Sequence, residues 1–484
     1  MDKNAIKKYA IWARRELLEK ISQKAMQYEI EDGKELNVNT VSVNGKLLSE
    51  TEIKQRTALV KKIQENGYNQ VMEEVAYTWF NRFVAIRFME VNGYLPSHIR
   101  VFSDESGKYN PQIISEALHL EMEGLDKNLV IELKTNSQDE ELFKYLLRVQ
   151  CNDLNRVLPG LFQKLEDYTE LLLPDYLLRE GSVIEKLVNE IPEDDFNLEK
   201  GSGQVEIIGW LYQFYNDEKK DQVINIYKGA VKKEDIPAAT QLFTTDWVVK
   251  YIVDNSLGRY WIEHRKNSEL QKKLKYYVPY EKTVCKEEVD PATVTFLDPS
   301  MGSGHFLIYA FDVFMEMYME CGYSERDAAN SIVKNNLYGL DIDERAAQLS
   351  YFSVMMKARQ YDRRFFSRNV VPNVKSICES NTISRTEIDS FAGQSSEVGE
   401  NLDLLIEQMK DAKVYGSIIE FQNINIKCLE ERIEELKTDS SLITAIALMD
   451  IEPLVSVAKI LSKKYTIVAT NPPYLNSLQI KSQG

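Results

Sequence analysis

The sequence predicts an α/β protein in two parts: a helical N-terminal domain over 1–235 and a Rossmann-like, doubly wound parallel sheet over 236–484. Three observations carry this. Residues before about 235 show helical apolar spacing and no run that reads as a buried strand. After about 240, short apolar runs at 293–298, 337–341 and 465–470 alternate with segments of helical length. The first of these runs ends in a glycine-containing turn that opens a helix.

In the first part, 5–28 (IKKYAIWARRELLEKISQKAMQYE) has helical spacing and lacks Pro and Gly. Segment 69–91 reads as an amphipathic helix with an aromatic face, Val71, Val75, Phe80 and Phe83 lying close to one another. Its Arg82 and Arg87 are expected to snorkel from a packed core, with direct DNA contact as the alternative. Asn92-Gly93 and Pro96 end this helix. Segment 101–200 is acidic and helical, and its Glu193-Asp194-Asp195 run is expected to be a solvated loop. Segment 206–228 is a further aromatic-rich helix.

In the second part, 246–263 is helical and 264–290 a charged connection. TVTFLD, 293–298, reads as a buried parallel strand. Helices follow at 305–320 and 324–336, then a strand at 337–341 and a helix at 344–360. YTIVAT, 465–470, is the last strand. Segment 384–440 reads as a largely helical insertion.

Composition bounds the function classes. With 484 residues, the chain is long enough for several domains and needs no covalent staple. Its 5 Cys are scattered, without CxxC, and its 4 His are far apart. Reduced thiols, a cytoplasmic location and no metal centre are expected. No signal peptide and no run of about 18 apolar residues is present, so no membrane association is expected. The net charge of −16 fits a simple nucleic-acid binder poorly. The charge is uneven, however: residues 1–100 carry 16 basic and 13 acidic side chains, residues 101–200 carry 10 and 22. A local DNA-facing surface is compatible with that distribution.

Asp298-Pro299-Ser300-Met301-Gly302-Ser303-Gly304-His305-Phe306 stands between a strand and a helix. Gly302 and Gly304 permit positive φ and close approach of a ligand to the backbone. The helix after Gly304 aims free N–H groups at that ligand. A carboxylate at Asp298 would repel a pyrophosphate but suits an ammonium, so the amino-acid end of S-adenosylmethionine fits better than a dinucleotide. Asp341, at the tip of the next strand, is placed to bind ribose hydroxyls. Asp343 reads as the N-cap of helix 344–360.

Asn471-Pro472-Pro473-Tyr474 follows the last strand. Consecutive prolines stiffen the backbone and remove two N–H donors. An exocyclic amine has two N–H donors, and the Asn471 side-chain oxygen and Pro472 carbonyl can accept both. Tyr474 offers a face for a planar base. Hydrogen-bonding both protons localises the nitrogen lone pair and makes it nucleophilic toward a methyl sulfonium.

Together the two motifs resemble the S-adenosylmethionine-dependent amino-methyltransferases. Phe243-Thr244-Thr245-Asp246-Trp247-Val248-Val249 resembles the F-T-P-x-x-V element of the DNA adenine-N6 group, with Thr245 in place of Pro. The resemblance implies that Phe243 and Thr244 help hold the methionine end of the cofactor. The motif order is similar to the γ arrangement of restriction–modification methyltransferases. Ser380-Asn381-Thr382-Ile383 is similar to a segment that contacts the cofactor adenine, which implies that role for Asn381. WARRELLEK, YTWFNRFVAIRFMEVNGYLP and TQLFTTDWVVKYIVDNSLGRYW resemble the adenine-specific DNA methyltransferases of BREX phage-defence systems, the PglX family. That resemblance runs along essentially the whole chain. It implies a SAM-dependent methyltransferase domain over 236–484, adenine-N6 methylation of non-palindromic double-stranded DNA with the adenine flipped out, marking of the host genome as self, and BREX partner proteins.

The chain ends ten residues after Tyr474. The resembling enzymes continue with further strands and a target-recognition domain. The expectation is therefore an N-terminal portion of a longer enzyme, or one half of a split one, partnered by a polypeptide carrying the rest. Weakened cofactor binding and no sequence recognition in isolation are expected. The alternatives are an NPPY-type protein-glutamine or RNA methyltransferase, and a non-catalytic scaffold of the defence complex.

Overall fold

The computed structural model describes residues 1–162, 168–200, 203–226, 244–279, 285, 287–437 and 442–472. Phe243, Pro473 and Tyr474 lie outside the described residues. The chain divides into two compact units, Met1–Lys219 and Lys220–Gly484. Among the described residues no helix is long and apolar enough to cross a membrane.

Among its described residues the first unit is helical apart from a two-stranded hairpin, β1 (Ser42–Val43) and β2 (Lys46–Leu47), and an isolated bridge between Ser103 and Tyr109. Helix α1 (Lys3–Gln27) starts where the Asp2 side chain accepts the Asn4 and Ala5 amides. Ile6, Tyr9, Ala13, Leu17 and Ile21 recur at helical spacing and are all buried. After α2 (Glu50–Asn66) comes α3 (Tyr68–Val91), which packs against α1. Its residues 79–91 are buried on every side. It is a central helix, not the amphipathic one expected from its aromatic spacing.

Arg82 and Arg87 do not snorkel, and their burial leaves neither able to contact DNA. Arg82 is 3 % exposed and lies 5.3 Å from the centre of the Trp79 ring. Arg87 is fully buried. It donates to Glu90 (2.7 Å), Ser103 (3.0 Å) and Glu193 (3.0 Å). Glu193 also pairs with Arg100. Asp195 is buried and pairs with the N-terminal amine at 3.2 Å. The Glu193-Asp194-Asp195 run is therefore a short helix tied into ion pairs, not a solvated loop. A long-range partner for each of Glu193 and Asp195 overrides the local preference for water. Removing one side of a buried charge pair strands the other. Arg87→Ala is expected to lower stability by about 3 kcal/mol in urea unfolding.

Among its described residues the second unit holds a four-stranded parallel sheet. Its strands are β3 (Phe296–Asp298), β4 (Leu337–Asp341), β5 (Asn373–Ser376) and β6 (Ile467–Val468), in the spatial order β5-β4-β3-β6. In chain order this is 3-2-1-4, so the direction of winding reverses between β3 and β6. That is where open α/β sheets bind ligands, beyond the carboxyl ends of the strands.

Before the sheet, α4 (Asp246–Val253) runs through a π-turn, Asp254–Gly258, into α5 (Arg259–His264). Helix α6 (His305–Glu320) links β3 toward β4 by way of α7 (Glu325–Ser331), and α8 (Glu344–Tyr361) links β4 to β5. Then come α9 (Arg385–Ala392), α10 (Ser396–Gln408), α11 (Ile426–Leu436) and α12 (Leu442–Ser462).

Alternation along β4 shows that both faces of the sheet are covered. Gly339 lies against Met301 and Leu307 of the first motif and α6. Leu340 on the opposite face shares one core with Leu297, Ile377 and the apolar faces of α9–α12. The segment read as an insertion thus packs into the core on that face.

Candidate active site at the carboxyl edge of the sheet

Strand pairing sets the geometry. Leu297 stands in register with Val468, and the Ala469 amide donates to the Leu297 carbonyl at 3.0 Å. The chain beyond β3 and the chain beyond β6 therefore leave the sheet side by side. Asp298 heads the first and Asn471 the second.

Asp298 is fully buried. One carboxylate oxygen accepts the Ser300 amide at 3.1 Å. The other, Oδ2, lies near the buried hydroxyl of Thr470, yet the two do not meet in full hydrogen-bond geometry. Burial pushes the Asp298 carboxyl up to about 7, the charge of Asp341 adds to the rise, and the nearby Thr470 hydroxyl and Ser300 amide oppose it. A buried acceptor so weakly partnered is costly, and a cationic donor beside it would offset that cost.

Asp341 ends β4. Its carboxylate accepts the Gly302 amide at 2.9 Å and the Asp343 amide at 2.8 Å. Burial is again the main cause of a carboxyl pushed up to about 6. The expected ribose ligand thus also anchors the glycine loop, a role that spacing did not reveal. Asp343 caps α8 through the Arg345 amide.

The loop between these two carboxylates has the conformation its glycines permit. Gly302 has φ +54° and Gly304 φ +88°, the latter immediately before α6. A Cβ on Gly302 would meet nothing within 4 Å, so space lies open above it. A Cβ on Gly304 would stand 2.4 Å from Ser350 Oγ on α8. Gly304→Ala is expected to cost about 2–3 kcal/mol through strain and overlap together, Gly302→Ala about 1 kcal/mol through strain alone. Thermal unfolding of the two variants side by side checks this order. Pro299 is partly buried in the turn that leaves β3.

Thr244 joins the second motif. The Asn471 side-chain amide donates to Thr244 Oγ1 at 3.0 Å across 227 residues of chain. Thr244 is held near the sheet because α4 runs into the π-turn where Asp254 is buried. Asp254 accepts Tyr309 Oη of α6 at 2.7 Å and the Tyr276 amide at 2.8 Å. Burial raises its carboxyl despite these bonds. Asp254, Thr470, Ser350 and Gly339 are absent from the sequence-derived set. A lone carboxylate inside the apolar run WVVKYIVDNSLG was the available sign for Asp254.

Asn381 follows β5 at the same edge, exposed. Its amide exchanges two hydrogen bonds with Asp411, each 3.0 Å, and so ties two loops together. Pro472 is described and exposed. Phe243, Pro473 and Tyr474 lie outside the described residues.

Comparison with known proteins agrees with this architecture. Residues 335–483 match the family model of the Eco57I restriction-modification methylase. The match takes in β4, β6 and Asn471. The chain is 39% identical over 526 residues to the adenine-specific methyltransferase PglX of Lacticaseibacillus casei (strain Zhang), covering 99% of this chain and 43% of that protein. It is 37% identical over 528 residues to the adenine-specific methyltransferase BrxX of Escherichia coli O9:H4 (strain HS), covering 98% of this chain and 42% of that protein. The chain spans a little over two fifths of the length of these relatives, and along nearly all of itself it belongs to the family of the PglX and BrxX adenine-specific methyltransferases.

Proposed function

We propose that the unit from Lys220 onward carries the cofactor pocket and the target-amine clamp of a DNA adenine-N6 methyltransferase, with 1–235 as a helical domain and 236–484 as the methyltransferase domain. The observation that carries the reading is the pairing of β3 with β6. It sets Asp298 and Asn471 at neighbouring strand ends, with Thr244 hydrogen-bonded to Asn471.

The residues present fit S-adenosylmethionine. The weakly partnered Oδ2 of buried Asp298 suits an ammonium group. The open space at Gly302 admits a ligand close to the backbone. The amides opening α6 suit a carboxylate. Asp341 retains acceptor capacity for ribose hydroxyls beside its two amide bonds. Bound S-adenosylmethionine would supply an electrophilic methyl group.

The protein's part is to prepare the nucleophile. The Asn471 side-chain oxygen and the Pro472 carbonyl accept hydrogen bonds from the two N–H groups of the adenine amine and turn its lone pair toward the methyl carbon; as the N–C bond would form, the S–CH3 bond would break to leave the neutral thioether, and one amine proton would pass to water. Tyr474 offers its ring to the flipped base, whose extrusion costs a few kcal/mol. In this reading Thr244 holds Asn471 as well as bordering the cofactor, and Asn381 acts on the cofactor adenine only if its bonds to Asp411 open. Methylation would mark the host genome as self in the cytoplasm, alongside other BREX defence proteins and a polypeptide carrying the region the longer relatives have beyond this match.

Transfer of labelled methyl groups tests the reading. Label should enter duplex DNA as N6-methyladenine, with or without a polypeptide supplying that further region. Label in ribosomal protein or RNA instead of DNA rejects it in favour of another NPPY-type methyltransferase. Folded protein that takes up no S-adenosylmethionine in calorimetry rejects it in favour of a scaffold.

A further inference from the structure

Four arginines of the second unit converge far from the candidate active site. Arg326, Arg363, Arg364 and Arg368 line one open groove of about 700 Å3, together with Asn330 and Tyr361. Asp362 is the one carboxylate among its lining residues. With Asp327 beside Arg326 and Arg368, four guanidinium groups face two carboxylates, a local excess of positive charge in a chain of net charge −16.

The turn that carries three of them is held rigidly from beneath. Phe365 is fully buried and Asp362 is 4 % exposed. Asp362 accepts the Arg364 amide at 3.0 Å, pairs with the Arg368 side chain, and takes the Phe365 amide on its carbonyl at 2.9 Å. Ser367 Oγ closes the turn on the Arg364 carbonyl at 2.8 Å. Arg363 and Arg364 are left exposed on this frame. Arg326 faces its chain neighbour Asp327 at 3.6 Å, an exposed and therefore weak pair. Asn330 Oδ1 is buried without a hydrogen-bond partner among the described residues.

We propose that this groove binds phosphate groups, and that its ligand is the phosphodiester backbone of a nucleic acid. Guanidinium forks match phosphate oxygens in pairs, and a pre-set turn loses little entropy on binding them. The groove lies where α8 ends and the chain turns back toward β5, at the amino ends of the strands. The 18 residues of α8 span about 27 Å from there to the carboxyl edge. Phosphates held in the groove therefore belong to a stretch of strand distant from any base at Asn471. The assignment rests on the groove itself and not on methyl transfer.

Fluorescence anisotropy with a labelled duplex of about 20 base pairs tests it on the intact chain. Arg363→Gln/Arg364→Gln should weaken binding at least about fivefold at low salt. It should also flatten the salt dependence by about 2 in slope, roughly 0.9 for each phosphate no longer neutralised. The exposed pair Lys54→Gln/Lys61→Gln should change neither. Both substituted arginines are exposed, so the melting temperature should stay unchanged and confirm an intact fold. Equal affinity and slope in the arginine variant overturn the proposal. A duplex that binds no better than inorganic phosphate makes this a free-phosphate site and overturns the nucleic-acid assignment. So does polyglutamate that binds the wild-type groove more tightly than the duplex, which would point to an acidic protein.

Discussion

Asn471→Ala is expected to reduce methyl transfer to DNA about 10²–10³-fold while leaving S-adenosylmethionine affinity within about twofold. Losses of that size follow when a single pre-oriented hydrogen-bonding group is removed from a reacting centre. The adenine amine is a poor nucleophile because its lone pair is delocalised into the ring. An acceptor held at the Asn471 position favours the geometry in which the lone pair is localised. Alanine removes that acceptor and also leaves Thr244 Oγ1 without the 3.0 Å bond it accepts. Thr244→Val separates the two effects, since it removes the support and keeps the acceptor. It should lower transfer less than Asn471→Ala does. Single-turnover transfer of labelled methyl groups gives the rate, and calorimetry gives the cofactor affinity. Unchanged transfer by Asn471→Ala rejects the clamp. Lost cofactor affinity in the same variant moves Asn471 from the amine to the cofactor.

The parts of this site that were legible in the sequence are those whose chemistry is local. A strand, a glycine turn and a helix in close succession announced the turn between β3 and α6, and α6 spans 305–320 as expected. The two-residue strand β6 is shorter than the 465–470 run. Thr466 and Thr295 nevertheless extend its pairing by exchanging amide-to-hydroxyl bonds of 3.0 and 3.1 Å. What was missed depends on distant chain. Strand β5 is only Asn373-Val374-Lys375-Ser376, with Val374 as its single buried residue, so no period-2 pattern exists to read. Helix α12 carries Pro453 in its interior, a residue that argues against a helix locally and is outweighed here by burial in the shared core. The Arg87 network joins residues about a hundred positions apart, and the Thr244–Asn471 bond spans more than two hundred. Composition showed that arginines lay among aromatics. It could not show that Glu90 and Glu193 would meet them.

Asp298→Asn should abolish tight S-adenosylmethionine binding and at the same time make the protein more heat-stable at pH 8. The two effects have one cause. Burial holds the Asp298 carboxyl up to about 7, against about 4 in an unfolded chain. The folded state therefore binds this proton more tightly than the unfolded state. The stabilisation is complete below about pH 4 and is lost progressively as pH rises through 7. At pH 8 wild type carries a buried, half-satisfied negative charge, whereas asparagine carries none. The melting temperature of the variant should exceed that of wild type at pH 8, and the gap should narrow steadily toward pH 5. Cofactor binding should run the other way. An ammonium beside Asp298 favours the ionised carboxylate, so wild-type affinity should weaken up to about tenfold from pH 8 to pH 6. Asp341, pushed up to about 6, adds its own titration at the lower end of that range. The share due to Asp298 is the part that disappears in the variant. A melting-temperature difference that does not change with pH would show that Asp298 is already ionised and partnered in the free protein. Cofactor affinity equal to wild type would remove it from the pocket. If both hold as expected, a residue whose buried charge weakens the fold above neutral pH is also the one that recognises the cofactor, and binding offsets that cost.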